Sequence, residues 1–169
     1  GNYHREWWAE AGFAKGPDTW DDLRAGAKKI RAKNGRPCGM GLSQELDTSM
    51  ALRALLWSFG GAEQDEAGKV VINSKETIEA LKYMKALYTE SQTAEVFTWA
   101  PSSNNRAMLA GKISVALNAI SITREGENKS IPGTDDIWLA KALAGPVRRI
   151  GLEHVMDCYV IWNFAQNKD

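Results

Sequence analysis

Apolar positions along the chain switch repeatedly between two spacings. In "NSKETIEALKYMKALYTES", Ile78, Leu81, Met84, Leu87 and Tyr88 recur every three or four residues, the period of a helix with one buried face. Ser74 stands just ahead of them as the capping hydroxyl. "GPDTWDDL" opens a second helix. Thr19 is its N-cap, Asp22 three residues on approximates a capping box, and Asp21 and Asp22 suit the positive end of the helix dipole. The apolar stripe Leu23, Ala27, Ile30 and Ala32 is stopped at Gly35. A helix over 48–59 is apolar nearly all round, which predicts deep burial. Segment 3–13 reads as a short helix ending at Gly12, and "SNNRAMLAG" and "AISITREGENKS" as two more.

Short runs of strand character lie between the helices. They are "PCGMGL", "KVVI" after a turn, "KISVALN" with a period of two, "IWLAKALAGP" up to Gly145-Pro146, and "EHVMDCYVIWNFA", the longest. Strands alternating with helices predict a single α/β domain with a partly parallel sheet.

Composition narrows the function classes. The chain has 169 residues, enough for one ordinary domain, and 44% of them are apolar, enough for a real core. Lys plus Arg and Asp plus Glu are both 21, so the basic excess of a nucleic-acid binder is missing and no nucleic-acid partner is expected. No apolar run approaches the roughly 20 residues that span a bilayer. Cys38 and Cys158 sit in apolar runs, with no CxxC and no Cys/His cluster, and read as two buried thiols rather than a zinc site. Nothing demands a metal or an organic cofactor. Seven tryptophans, several in polar contexts, suit a surface that stacks on ligand rings.

The stretch "GLSQELDTS" is the natural place to look for chemistry. It nearly matches the G-x-S-x-G nucleophile elbow, but Glu45 replaces the second glycine, which lets strand and helix pack around a strained serine. Only His4 and His154 are available to complete a triad with Ser43. Glu45 and Asp47 are acids in one loop, whereas a glycosidase sets its two carboxylates across the scissile bond, usually from different elements. Taken by themselves, Asp47 or Thr48 reads as a helix cap and Glu45 as a solvated acid. A small hydrolase or glycosidase fragment using Ser43 or Glu45 remains the rival class. A protein-interaction module with one apolar patch is a second rival. Arg148 and Arg149 read as a solvated charge run, with an acidic ligand as the alternative.

The order of three landmarks decides between these readings. "PDTWDDL", then "GGAEQDEAGKVVINSKETIEAL", then "AMLAGK" ahead of a strand, resembles the family-1 extracellular solute-binding proteins of bacterial ABC importers, the maltose-binding-protein-like group. The resemblance covers nearly the whole chain. It implies a type II periplasmic-binding-protein fold, with a mixed, mostly parallel sheet flanked by helices, and no enzymatic activity. It also implies that 1–169 is the second α/β lobe of a two-lobe protein whose first lobe and C-terminal helices lie outside this sequence. The implied function is binding of a carbohydrate or polyol between the lobes for delivery to ABC permease subunits. The implied location is extracytoplasmic, either periplasmic or as a cell-surface lipoprotein. Ligand contacts carried over by the resemblance fall in four loops: Glu45, Asp47, Thr48 and Ser49 before the buried helix; Trp99 in the aromatic loop; Asn118 and Ser121 after the "ISVAL" strand; and His154 in "EHVMD". Ser121 stands where maltose-type members carry a stacking aromatic, a departure from a linear maltodextrin ligand that leaves Trp99 as the candidate platform.

Overall fold

The computed structural model describes residues 1–151 and 158–167. Its centre is a four-stranded sheet of order β2-β3-β1-β4, made of β1 (Asn2–His4), β2 (Cys38–Gly39), β3 (Val115–Ala116) and β4 (Ile137–Leu139). β2 and β3 pair in parallel, with Cys38 opposite Val115 and Gly39 opposite Ala116. β1 pairs antiparallel with both β3 and β4. The sheet is therefore mixed: β2, β3 and β4 run one way and β1 alone runs against them.

Among the described residues six α-helices surround it: α1 (Arg5–Glu10), α2 (Trp20–Asn34), α3 (Leu46–Ser58), α4 (Lys75–Ser91), α5 (Ser103–Leu109) and α6 (Ser121–Asn128). Side chains alternate across a strand, and β3 feeds both faces. Val115 joins Trp8, Leu23, Ala27, Ile30, Ala54, Leu55 and Leu87 beneath α1 to α4. Ala116 joins Met108, Ile113, Ile122 and Ile137 beneath α5 and α6. The result is a three-layer α/β unit with the larger core on the α2–α3–α4 side.

Locally signed elements form where expected. Thr19 and Asp22 make a reciprocal capping box, and Gly35 ends α2 in the left-handed conformation at φ 75°. Ser74 caps α4 by accepting from Thr77 N–H at 3.2 Å. Five expectations differ. Tyr3 belongs to a strand rather than to the first helix, because Asn2, Tyr3 and His4 are all buried between β3 and β4. "KVVI" forms only an isolated bridge, Val70 to Gln64, and leaves Val70 and Ile72 exposed. The described part of the last β-rich run, 158–164, is not a strand. Tyr159, Val160, Ile161, Trp162 and Phe164 are exposed with no pairing partner among the described residues. Cys158 is likewise exposed, not buried, while Cys38 is buried and its thiol is pushed up to about 12 by desolvation. The near-total burial expected of α3 is also partial: Thr48, Ala51, Ala54, Leu55 and Ser58 are buried, and Leu46 is half exposed.

Candidate functional site

Two neighbouring parallel strands set the site. β2 and β3 end side by side, so the loops leaving their C-terminal ends, 40–45 and 117–120, emerge next to each other. Open α/β sheets place ligands at such strand ends. The loop ahead of α5 joins them: the hydroxyl of Ser43 donates to the carbonyl of Trp99 at 2.6 Å.

Within the first loop the cap is Glu45, not Asp47 or Thr48. Its carboxylate accepts from Asp47 N–H at 2.8 Å, from Thr48 N–H, and from the Thr48 hydroxyl. A long side chain thus folds back over the first turn of α3 and satisfies N–H groups that the helix leaves open. Gly41 makes room for it, since a Cβ there would stand 2.6 Å from Thr48 Oγ1 and 2.9 Å from Glu45 Oε1. Thr48 is buried beneath this cap, and Ser49 is exposed, its hydroxyl donating to the Glu45 carbonyl at 3.2 Å.

With Glu45 committed to the cap, Asp47 is left to other work. Its Oδ2 accepts from Asn104 Nδ2 at 2.7 Å. Burial pushes its carboxyl above the usual carboxylate value; the Asn104 hydrogen bond opposes that and the charge on Glu45 adds to it. Asn104, itself 5% exposed, turns its Oδ1 to Asn118 Nδ2 at 3.2 Å and to Asn105 N–H at 2.7 Å. Asn118 Nδ2 also donates to Asn105 Oδ1 at 2.6 Å, and Asn118 Oδ1 accepts from Ala119 N–H at 2.6 Å. Beneath the loop, Asn2 at the start of β1 donates to the carbonyls of Asn118 at 3.0 Å and Ala119 at 2.9 Å. A continuous amide and carboxylate network therefore ties three loops together.

Six of the eight residues singled out from sequence, Glu45, Asp47, Thr48, Ser49, Trp99 and Asn118, meet at this end of the sheet. Glu45, Thr48 and Asn118 are largely occupied with holding it together. Ser121 is exposed at the start of α6 beside exposed Ile120. Trp99 is half-buried against the Met108–Ile113–Ile122 cluster. His154 lies outside the described residues. Asn104 closes the 99–104 loop that the sequence marks as a candidate, but neither it nor Asn2 nor Asn105 carries an individual signal there; "SSNNRAM" reads only as a polar helix start.

The arrangement speaks against the hydrolase reading at Ser43 and Glu45. Glu45 spends both oxygens on α3, and Ser43 faces a carbonyl. His4, the histidine within the described residues, directs Nε2 at the Met108 carbonyl, 3.3 Å away, and Nδ1 at Asp136, 3.6 Å away. Arg149 is no acid-ligand site either: it pairs with Asp18 at 2.7 Å and donates to the Ala142 carbonyl. Among the described residues no group of three or more His, Cys, Asp or Glu is placed to hold a metal.

Comparison with known proteins fits this frame. A binding protein of Brucella abortus is 25% identical over 169 residues, covering 99% of this chain and 41% of its own length. The maltose-bound MalE3 structure of T. maritima superposes with a TM-score of 0.78 at 28% identity, over 88% of this chain and 39% of that one. An ABC transporter solute-binding protein of Agrobacterium vitis S4 with bound D-mannitol gives a TM-score of 0.73 at 21% identity, over 86% and 36%, a likeness of fold alone. The chain thus spans about two fifths of the length of the relatives it matches. The model of the family described as bacterial extracellular solute-binding protein matches residues 2–169, and the chain belongs to that family.

Proposed function

We propose that this chain is one lobe of a two-lobe solute-binding protein, and that the 43–49, 99–105 and 118–121 loops form its half of a sugar or polyol site. The observation that carries the reading is the Asp47–Asn104–Asn118 network, which holds three loops at the ends of parallel strands around a half-buried carboxylate. Ligand hydroxyls need directed donors and acceptors on a rigid support. On this reading Asp47 Oδ1, Ser49 and Ser121 face hydroxyls, and Trp99, Leu46 and Ile120 offer apolar surface to C–H faces. His154 remains a further candidate donor. The family membership and the maltose and D-mannitol found in its structural neighbours point to the same ligand class. The protein has no catalytic role on this reading. It works outside the cytoplasm, in the periplasm or anchored to the cell surface, and delivers its ligand to the membrane subunits of an ABC importer by closing its lobes.

A thermal-shift panel on the full-length protein tests this. Ligands that bind the native state raise its melting temperature by mass action. A rise with maltose, D-mannitol or a related sugar or polyol is expected, with no consumption of the compound. No rise with any member at millimolar concentration, or hydrolysis of one of them, contradicts the reading.

A further inference from the structure

We infer that Asn104 is the positioning residue of the site: it aims the Asp47 carboxylate and fixes the spacing of the three loops through Asn118. The inference deepens the reading above and rests on it for the identity of the ligand. Three observations support it. Asn104 is 5% exposed, so its amide is withdrawn from solvent and from direct ligand contact. Both ends of that amide are engaged with different loops, Nδ2 with Asp47 and Oδ1 with Asn118. No described residue donates to the second oxygen of Asp47, which leaves it open to a ligand donor.

The chemistry gives the amide a specific job. A neutral amide presents a donor to Asp47 and an acceptor to Asn118 at once, a combination that no carboxylate or apolar side chain of this size provides. A bond to an ionised acceptor favours the charged form. Glu45, on the same helix end, pulls the other way. On α5 and α6, Asn105 donates a hydrogen bond to Glu125, which also feels the Arg106 charge. No cation is paired to Asp47 among the described residues, and the Asn104 amide is the group that favours the charged carboxylate against burial and the Glu45 charge. Hydroxyl donors on a sugar or polyol then meet a fixed anionic acceptor.

Carboxyl-resolved NMR titration of the full-length protein tests the inference with and without ligand. In Asn104→Leu, which keeps the branched heavy-atom shape of Asn without its polar atoms, the Asp47 midpoint is expected to move upward, and affinity for the best maltose or D-mannitol probe to fall about tenfold or more at pH 7. Asn104→Asp, which cannot donate when ionised, is expected to raise the midpoint further through like-charge repulsion. In an Asp47→Asn background the same Asn104 change should cost less affinity. A merely structural Asn104 predicts a lower melting temperature with an unmoved Asp47 midpoint in both variants, which overturns the inference. The apo titration decides the matter even if neither probe binds, whereas absence of binding by the unmodified protein counts against the sugar or polyol reading alone.

Discussion

Asp47 accepts a hydrogen bond at 2.7 Å from Asn104, which lies 57 residues further along the chain. This contact joins the first turn of α3, just past the loop after β2, to the start of α5, and Asn118 extends it to the loop after β3. It also separates the two acids that the sequence places side by side: Glu45 builds the helix end, while Asp47 is held by an amide.

That division sets a pH dependence. Burial raises the Asp47 carboxyl above its ordinary 3.8, so the folded state holds the proton more readily than the unfolded chain. Stability from this group therefore falls as pH rises from 3.8 through the raised value and stays lowered at neutral pH. Asp47→Asn keeps an oxygen acceptor for Asn104 and removes the titration. We expect it to melt higher than the parent at pH 7, with the advantage vanishing below the ordinary carboxylate range. Melting curves across pH check this, and a lower melting temperature at pH 7 speaks against it.

Glu45→Ala removes the acceptor of two backbone N–H groups and one hydroxyl at the start of α3. The expected loss is about 1–2 kcal/mol, with Glu45→Gln losing less. Urea denaturation measures both. Unchanged midpoints would return Glu45 to the role of a solvated acid.

Gly26 lies in α2 directly against Trp8. A Cβ there would stand 2.3 Å from Trp8 Cζ3. Alanine favours the helix by about 1 kcal/mol over glycine, while overpacking costs about 1–3 kcal/mol. Trp8 is fully buried and packs edge-on to Tyr3 at 6.4 Å and Phe13 at 5.8 Å, so the ring has little room to move. Net destabilisation of Gly26→Ala is expected by urea titration. A stabilised variant would show that the ring shifts freely.

On the proposed two-lobe reading, this chain supplies only half of the ligand contacts. Calorimetry should find that the 169-residue chain alone binds the full-length protein's sugar weakly or not at all. Equal affinity would place the whole site on this chain.

How much of this was legible depended on range. The caps at Thr19 and Ser74 and the stripe of α4 were readable because each signal sits within one or two helical turns. The strand at Asn2 and the absence of one at 158–164 were not, since a strand is defined by its partners: polar Asn2 and His4 pair between two strands, while the apolar run 158–164 pairs with no described residue. Glu45 gives no cap signal in sequence because its long side chain is not a usual cap and must fold back to reach Thr48. The loops were found through family landmarks, but their joint, Asn104, depends on contacts 14 and 57 residues distant in the chain and leaves no local pattern.

The most direct test of the central claim is a crystal structure of the full-length protein with the sugar or polyol that gives the largest thermal shift. The account predicts ligand between two lobes, with a hydroxyl within hydrogen-bonding distance of Asp47 and further contacts from the 99–105 and 118–121 loops. Ligand bound elsewhere, with Asp47, Ser49 and Ser121 all facing solvent, would contradict it.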